Sequence, residues 1–240
     1  LDKRAVATSR VAEYAGLGNV IAKTAYAEHH GHSGTVSEAA PGKAVSETED
    51  IEMTDPGIKA EIEKNAELNF AGPNGLNSQG DPASFKKDDQ GRIFKKRAGD
   101  VLNDHDLSNP RTQKELNDLQ WVDAITGQVD RHGGNIFIDP ASGAVKGIDN
   151  DAAFGSVNAA DPEQLAQGRM RGSHFQGMPT LVDASTAQSI LAMKPEEFTR
   201  RLAGLNAEEV KAAVSRLESV QARIRDLRQA GAQVGADGRH

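Results

Sequence analysis

Cysteine is absent from the 240 residues. That excludes disulfide staples and thiolate metal sites, and it suits a reducing cytoplasm as well as a protein exported without disulfide help. No run approaches the roughly 20 consecutive apolar residues that cross a bilayer, and no signal-peptide pattern stands at the start, so no transmembrane segment is expected. No basic run offsets a net charge of −7, which argues against nucleic acid as a partner. The His-Glu-x-x-His zinc pattern, the Gly-x-Ser-x-Gly elbow and the GxxxxGK[ST] phosphate loop are all missing, so hydrolase readings have no anchor. What the chain does have is length and 37% hydrophobic residues, enough for a substantial core in one or two domains.

Its most informative stretch is Asp130-Arg131-His132-Gly133-Gly134-Asn135-Ile136-Phe137-Ile138-Asp139, followed by Asp149-Asn150-Asp151 and Phe154-Gly155. Phosphoryl transfer from a nucleotide asks a protein for little covalent chemistry. It needs oxygen ligands for magnesium and a group that orients the accepting hydroxyl. Magnesium takes hard oxygen donors and keeps several waters, so one amide oxygen and one carboxylate suffice from the protein. Asn135 and Asp149 supply that pair. Asn135 to Asp139 and Ala144 to Ile148 read as two short strands joined by Pro140-Ala141-Ser142-Gly143, a Gly-containing hairpin loop. Pairing them is expected to bring Asn135 beside Asp149.

Asp-Arg-His-x-x-Asn, a hairpin and then Ile148-Asp149 resemble the catalytic loop and metal-binding segment of the phosphatidylinositol 3-/4-kinases and their bacterial relatives, a branch of the protein-kinase-like fold. Ordinary protein kinases carry His-Arg-Asp and Asp-Phe-Gly instead. The resemblance implies an α+β chain with a protein-kinase-like fold, mostly the helical C-terminal lobe with a partial N-terminal lobe. It implies ATP and Mg2+ as cofactors. Asp130 and His132 would handle the acceptor hydroxyl, Asn135 would bind one magnesium, and Asp149 would bind the metal bridging the β- and γ-phosphates. Asp151 departs from the pattern, and two readings stand: a second metal carboxylate, or a polar cap for the following segment. Arg131 is expected to bind a carboxylate or a backbone carbonyl near the loop.

The flanks fit the same placement. Arg111 to Gln128 has helical spacing with Gly127 as a stop, and holds Trp121 as a packing residue. Asp2 to Ala15 is also helical, ended by Gly16-Leu17-Gly18. A strand-like run follows from Val20 to Ala27, then a His- and Gly-rich turn from His29 to Gly34, then Thr35 to Ala40. By the resemblance, Glu38-Ala39-Ala40-Pro41-Gly42 is the hinge, with Glu38 and Ala40 touching adenine. No Gly-rich loop with its strand lysine precedes Asp2, and the chain opens on Leu1, so the expectation is part of a longer polypeptide with its upstream strands absent. The carboxylate partner of that lysine stays unassigned between Asp2 and Glu13.

Three regions result: 1–45 as a partial N-terminal lobe, 46–110 as an insertion or linker with one helix from Ile58 to Phe70 and a mobile loop, and 111–240 as the helical C-terminal lobe. Within the last, Asp183 caps Ala184 to Met193, Lys194-Pro195 opens a helix through Leu202, and Asn206 caps a long helix to about Gln229 whose Val210, Val214, Leu217, Val220, Ile224 and Leu227 form a core-facing stripe. Residues 231–240 read as a frayed end. Arg169, Arg171 and His174 fall where the kinase relatives have a substrate loop; they suit a phosphorylated headgroup or an acidic segment, although charge on a solvated loop is the commoner explanation. His29, His30 and His32 suit either solvent or a metal.

The function expected is an ATP- and magnesium-dependent kinase acting on a protein or phosphoinositide hydroxyl, with the acidic chain and its lysine-poor substrate loop favouring protein. Adenylylation or glutamylation on the same fold is one alternative, and a non-catalytic kinase-like binding module is another. The Ala- and Gly-rich composition suggests a bacterial origin. The resemblance then leaves open a cytoplasmic protein, or an effector secreted into a host cell and meeting a host protein there.

Overall fold

The computed structural model describes residues 2–47, 50–72, 76–80, 83–95, 101–155 and 177–234. The chain divides into two compact units, one made of residues 1–45 and 104–240, the other of residues 46–103. Helices and small, mostly antiparallel sheets make the class α+β. Among the described residues no helix is long and apolar enough to cross a membrane. Arg169, Arg171, His174 and residues 235–240 lie outside the described residues.

The first unit opens with helix α1, Asp2–Tyr14, whose Val6, Ala7, Val11 and Ala12 are buried, as is Ala15 just after it. It stops where Gly16 takes φ +73°. Strands β1, Thr24–His29, and β2, His32–Ser37, form an antiparallel hairpin. The sequence leads one to expect a turn over residues 29–34 and an earlier strand. The reversal instead needs only His30 and Gly31, because both adopt positive φ, 49° and 76°, the primed turn that matches strand twist. Val20 consequently belongs to a short 3-10 turn, Gly18–Val20.

Strand β3, Lys43–Ala44, is laid against the later hairpin. Gly42 makes that approach possible: at φ +83°, a Cβ on it would lie 2.0 Å from the Ile138 carbonyl oxygen. Gly42→Ala is therefore expected to destabilise the chain by about 2–3 kcal/mol through αL strain and backbone collision, measurable as a lower midpoint in denaturant. A midpoint equal to that of the native chain would show that the strand does not sit there in solution.

Residues 46–103 are described separately. Helix α2, Pro56–Lys64, is capped by Asp55, and α3, Ala66–Asn69, follows after a break. The single helix expected over Ile58–Phe70 splits because Asn65 leaves helical dihedrals and its Nδ2 donates to the Glu61 carbonyl at 3.3 Å, the local competition typical of Asn. Short strands β4 (Ser46–Glu47) with β8 (Val101–Leu102), and β5 (Ile51–Glu52), β7 (Ile93–Lys95) and β6 (Phe85–Lys87), complete the unit. Residues 104–110 go with the first unit: His105 Nε2 donates to the Ala44 carbonyl at 2.9 Å, and Asn109 begins the next helix.

That helix, α4, Pro110–Thr126, is the axis of the core. Asn109 caps it, Pro110 fills its first turn, and Gly127 ends it in the αL conformation at φ 65°, the expected start and stop chemistry. Trp121, Val122, Ala124 and Ile125 are fully or almost fully buried, and the Trp121 indole N–H donates to the Leu181 carbonyl at 3.2 Å. Three acids, Glu115, Asp118 and Asp123, are buried on the same helix, and each is bonded. Glu115 accepts from the Val145 N–H at 2.7 Å, and Asp118 from Lys114 and Thr186 at 2.6 and 2.8 Å. Buried polar groups persist only when satisfied in this way.

The hairpin expected between Asn135 and Ile148 is present as β9, Ile136–Ile138, and β10, Val145–Gly147, antiparallel and in one sheet with β3. Helices α5 (Ala184–Leu191), α6 (Pro195–Arg201) and α7 (Ala207–Gln229) follow. Asn206 and Glu209 form a full capping box at the start of α7, and Leu217, Val220, Ile224 and Leu227 are buried while Val210 and Val214 pack partly against the core. Gln233–Val234, within the end expected to fray, pairs as β12 in parallel with β11, Val182–Asp183.

Candidate functional site

The C-terminal end of α4 leads directly into the Asp130 loop, and the last carbonyls of a helix need partners. Gly127 and Gln128 N–H groups both donate to the Asp123 carbonyl, Gln128 at 3.1 Å. Arg216, on α7 and fully buried, donates to the Ile125 and Thr126 carbonyls at 3.3 and 3.4 Å, and the Phe154 N–H donates to Thr126 at 2.9 Å. Burial pushes the Arg216 guanidinium down to about 10, which leaves it charged at neutral pH.

From that base the loop is cross-braced by its own backbone. The Asp130 carbonyl accepts from the His132 N–H and from Asn135 Nδ2, both at 3.0 Å. Engaging the amide nitrogen turns the Asn135 Oδ1 away from Asp130, and that oxygen is the atom a hard cation requires. Asn135 is buried and closes a 3-10 turn, Gly133–Asn135, so it precedes β9 instead of opening it as the sequence leads one to expect. His132, exposed, accepts the Gly134 N–H at its Nδ1, 3.1 Å. That hydrogen bond assigns the proton of the neutral ring to Nε2.

One residue joins the loop to the Asp149 segment. The Arg131 guanidinium donates to Asp123 through Nε and Nη2, to the Asn135 carbonyl at 3.2 Å and the Ile148 carbonyl at 2.6 Å through Nη1, and to Asn150 Oδ1 at 2.7 Å. The Ile148 N–H also donates to the Asn135 carbonyl at 3.0 Å. Asn135 and Ile148 are therefore direct backbone partners, and Asp149 is the next residue along. The carboxylate and carbonyl partners expected of Arg131 are both present.

Asp149 has φ 54° and ψ 55°, a left-handed conformation for which Asn and Asp carry the smallest penalty among residues with a side chain. Its side chain is exposed. Desolvation first, then the neighbouring Asp151 carboxylate and after it Asp130, hold Asp149 above the usual carboxylate range. Asp151 and Asp130 thus both act on Asp149 electrostatically. Asn150 between them is buried and tied by its side chain to Arg131 and to the Gly147 carbonyl, and by its own carbonyl to Thr8 of α1 at 3.3 Å.

Glu38 and Ala40 occupy the connection from β2 to β3. The Glu38 carboxylate accepts from Lys146 Nζ at 2.9 Å and from the Lys23 N–H at 3.3 Å, and the Lys146 bond leads the causes that hold it below the ordinary range. Its backbone N–H is bonded to the Lys23 carbonyl at 2.8 Å. Ala40 is partly exposed.

Among the described residues no three His, Cys, Asp or Glu side chains converge on a common point as metal ligands, and His29, His30 and His32 are no exception. The candidate oxygen set is Asn135 Oδ1 with the Asp149 and Asp151 carboxylates. Hard, partly anionic and mutually repelling, it has the donor chemistry magnesium prefers. Sequence reasoning passed over Asp123 and Gln128. Asp123 carried a signal, an acid within an otherwise apolar helix turn eight residues before Arg131; Gln128 carried none. No protein-family model matches this chain, and no curated protein matches it.

Proposed function

We propose that the chain carries an ATP- and magnesium-dependent phosphotransferase centre on a kinase-like scaffold. The observation that supports the reading best is the junction at Asn135 and Ile148, where one buried guanidinium and one backbone hydrogen bond make the Asp130 loop and the Asp149 segment a single braced unit. Phosphoryl transfer needs this kind of rigid presentation of a hydroxyl-orienting group beside metal ligands.

In this reading Asp130 accepts a hydrogen bond from the attacking hydroxyl and aligns its lone pair, and His132, with its proton on Nε2, hydrogen-bonds the same acceptor or a phosphoryl oxygen. Asn135, Asp149 and Asp151 would hold magnesium, which when bound offsets charge on the phosphate oxygens. With the Glu38 carboxylate and N–H already engaged, the backbone carbonyl of Glu38 and the Ala40 backbone are the groups left for adenine. The acceptor is a hydroxyl of a protein or a phosphoinositide.

The test is transfer of label from ATP into a cell lysate and into phosphoinositide vesicles, with magnesium present or chelated. Label on the γ-phosphate should be transferred only with magnesium, and label on the α-phosphate should not. Transfer of the α-label would replace the proposal with adenylylation; transfer of neither, with no magnesium-dependent ATP binding by calorimetry, would end it.

A further inference from the structure

The side chain of Gln128 is completely buried and spans the two segments that carry the proposed chemistry. Its Oε1 accepts the Asp130 backbone N–H at 3.0 Å, and its Nε2 donates to the Asp149 backbone carbonyl at 3.1 Å. Its own N–H is fixed on the Asp123 carbonyl at the end of α4. A single planar amide, held at its root by the helix, therefore touches the backbone of both acids. The amide is chemically suited to this. It donates and accepts at once and brings no charge, whereas a carboxylate would only accept and would add a further negative group beside Asp130, Asp149 and Asp151.

We propose that Gln128 is a positioning residue that sets the separation of Asp130 from Asp149, and through it the affinity of the site for the magnesium–nucleotide complex. This rests on the phosphotransferase reading. Gln128 acts through two backbone groups, Arg131 through the side chains of Asp123 and Asn150 and the carbonyls of Asn135 and Ile148. The first governs the spacing of the acids, the second the joining of the strands. Outer groups that orient metal ligands commonly change metal affinity or activity by about 10- to 100-fold when removed.

The experiment uses the full chain in three variants: Gln128→Leu, which removes both bonds; Gln128→Glu, which keeps the acceptor for Asp130 but sets a carboxylate against the Asp149 carbonyl; and Asp149→Asn as the activity control. Magnesium titrations of ATP turnover are read together with hydrogen exchange at the Asp130 amide. Both Gln128 variants should need about 10- to 100-fold more magnesium for half-maximal turnover. Gln128→Leu should also lose protection of the Asp130 amide, and Gln128→Glu should keep it, so a folded second variant still decides the matter if the first does not fold. An unchanged magnesium requirement in the two variants, with the native chain active and Asp149→Asn inactive, overturns the positioning role and leaves the phosphotransferase reading intact. Loss of Asp130 protection without any change in the magnesium requirement makes Gln128 purely structural and overturns the role as well. A native chain that turns over no ATP removes the broader reading, and this inference with it.

Discussion

Asp149→Asn is expected to lower magnesium-dependent ATP turnover by about 10³-fold, the scale on which removing a group that neutralises transition-state charge usually acts. Asparagine keeps the size of the side chain and tolerates the left-handed backbone that Asp149 adopts, so the loss would report charge and not folding. The same substitution should raise thermal stability. Asp149 is held above the usual carboxylate range by desolvation and by repulsion from Asp151, so its favourable contribution to folding is present below the unfolded-state value and is lost as pH rises through the folded-state value. Once ionised, Asp149 is repelled by the neighbouring Asp151 and opposes folding, and removing its charge relieves that repulsion. Magnesium should then raise the melting temperature of the native chain and leave that of Asp149→Asn nearly unchanged. A variant with full turnover, or one stabilised by magnesium as much as the native chain, would remove Asp149 from the metal role.

Arg131→Met should destabilise the first unit by about 3–5 kcal/mol, the usual cost of leaving one member of a buried ion pair without its partner. The side chains of Arg131 and Asp123 are 3% and 6% exposed, and desolvation already outweighs the guanidinium in holding Asp123 above its ordinary range. Methionine fills similar space but supplies no donor to Asp123, to the Asn135 and Ile148 carbonyls, or to Asn150. Arg131→Lys should recover only part of the loss, because a compact ammonium cannot serve the carboxylate, two carbonyls and an amide together. The pH dependence follows from the raised acid. In Arg131→Met, protonating Asp123 removes the stranded charge, so the deficit should shrink as pH falls toward the ordinary aspartate value of about 4. Removing both partners, as in Asp123→Leu with Arg131→Met, should be milder than Arg131→Met alone. Unfolding in urea between pH 4 and 8 measures all of this, and a loss below about 1 kcal/mol for Arg131→Met at pH 7 would show that the brace contributes little.

Much of this framework was legible in the sequence because its signals are local. Gly127 stops α4, Asn206 announces α7, and the Gly-containing loop from Pro140 to Gly143 locates the β9–β10 hairpin, since caps and turns depend on residues a few positions apart. The juxtaposition of Asn135 with the Asp149 segment came from that hairpin in the same way. What stayed hidden depends on contacts across the fold. Gln128 reads as an ordinary polar residue after a helix stop, and its role exists only because the Asp149 backbone returns beside it. Asn150 looks like a solvent-facing residue until Arg131 reaches it, and the acid of Asp123 in its apolar helix turn does not by itself name Arg131 as its partner. The positive φ of His30 and the break at Asn65 are single-residue dihedral choices that hydrophobic periodicity does not register, and the two-residue strands of the 46–103 unit are too short to show a pattern.

Arg216 has a bearing on biogenesis. Its guanidinium caps the end of α4, yet it is encoded ninety residues after Thr126, so a ribosome making this chain releases the Asp130 loop and the Asp149 segment long before the group that secures the helix beneath them has been synthesised. The Asp130 loop and the Asp149 segment are therefore expected to settle only after α7 has left the exit tunnel, and a nascent chain halted ahead of that helix would hold both segments without the Arg216 bonds to the end of α4.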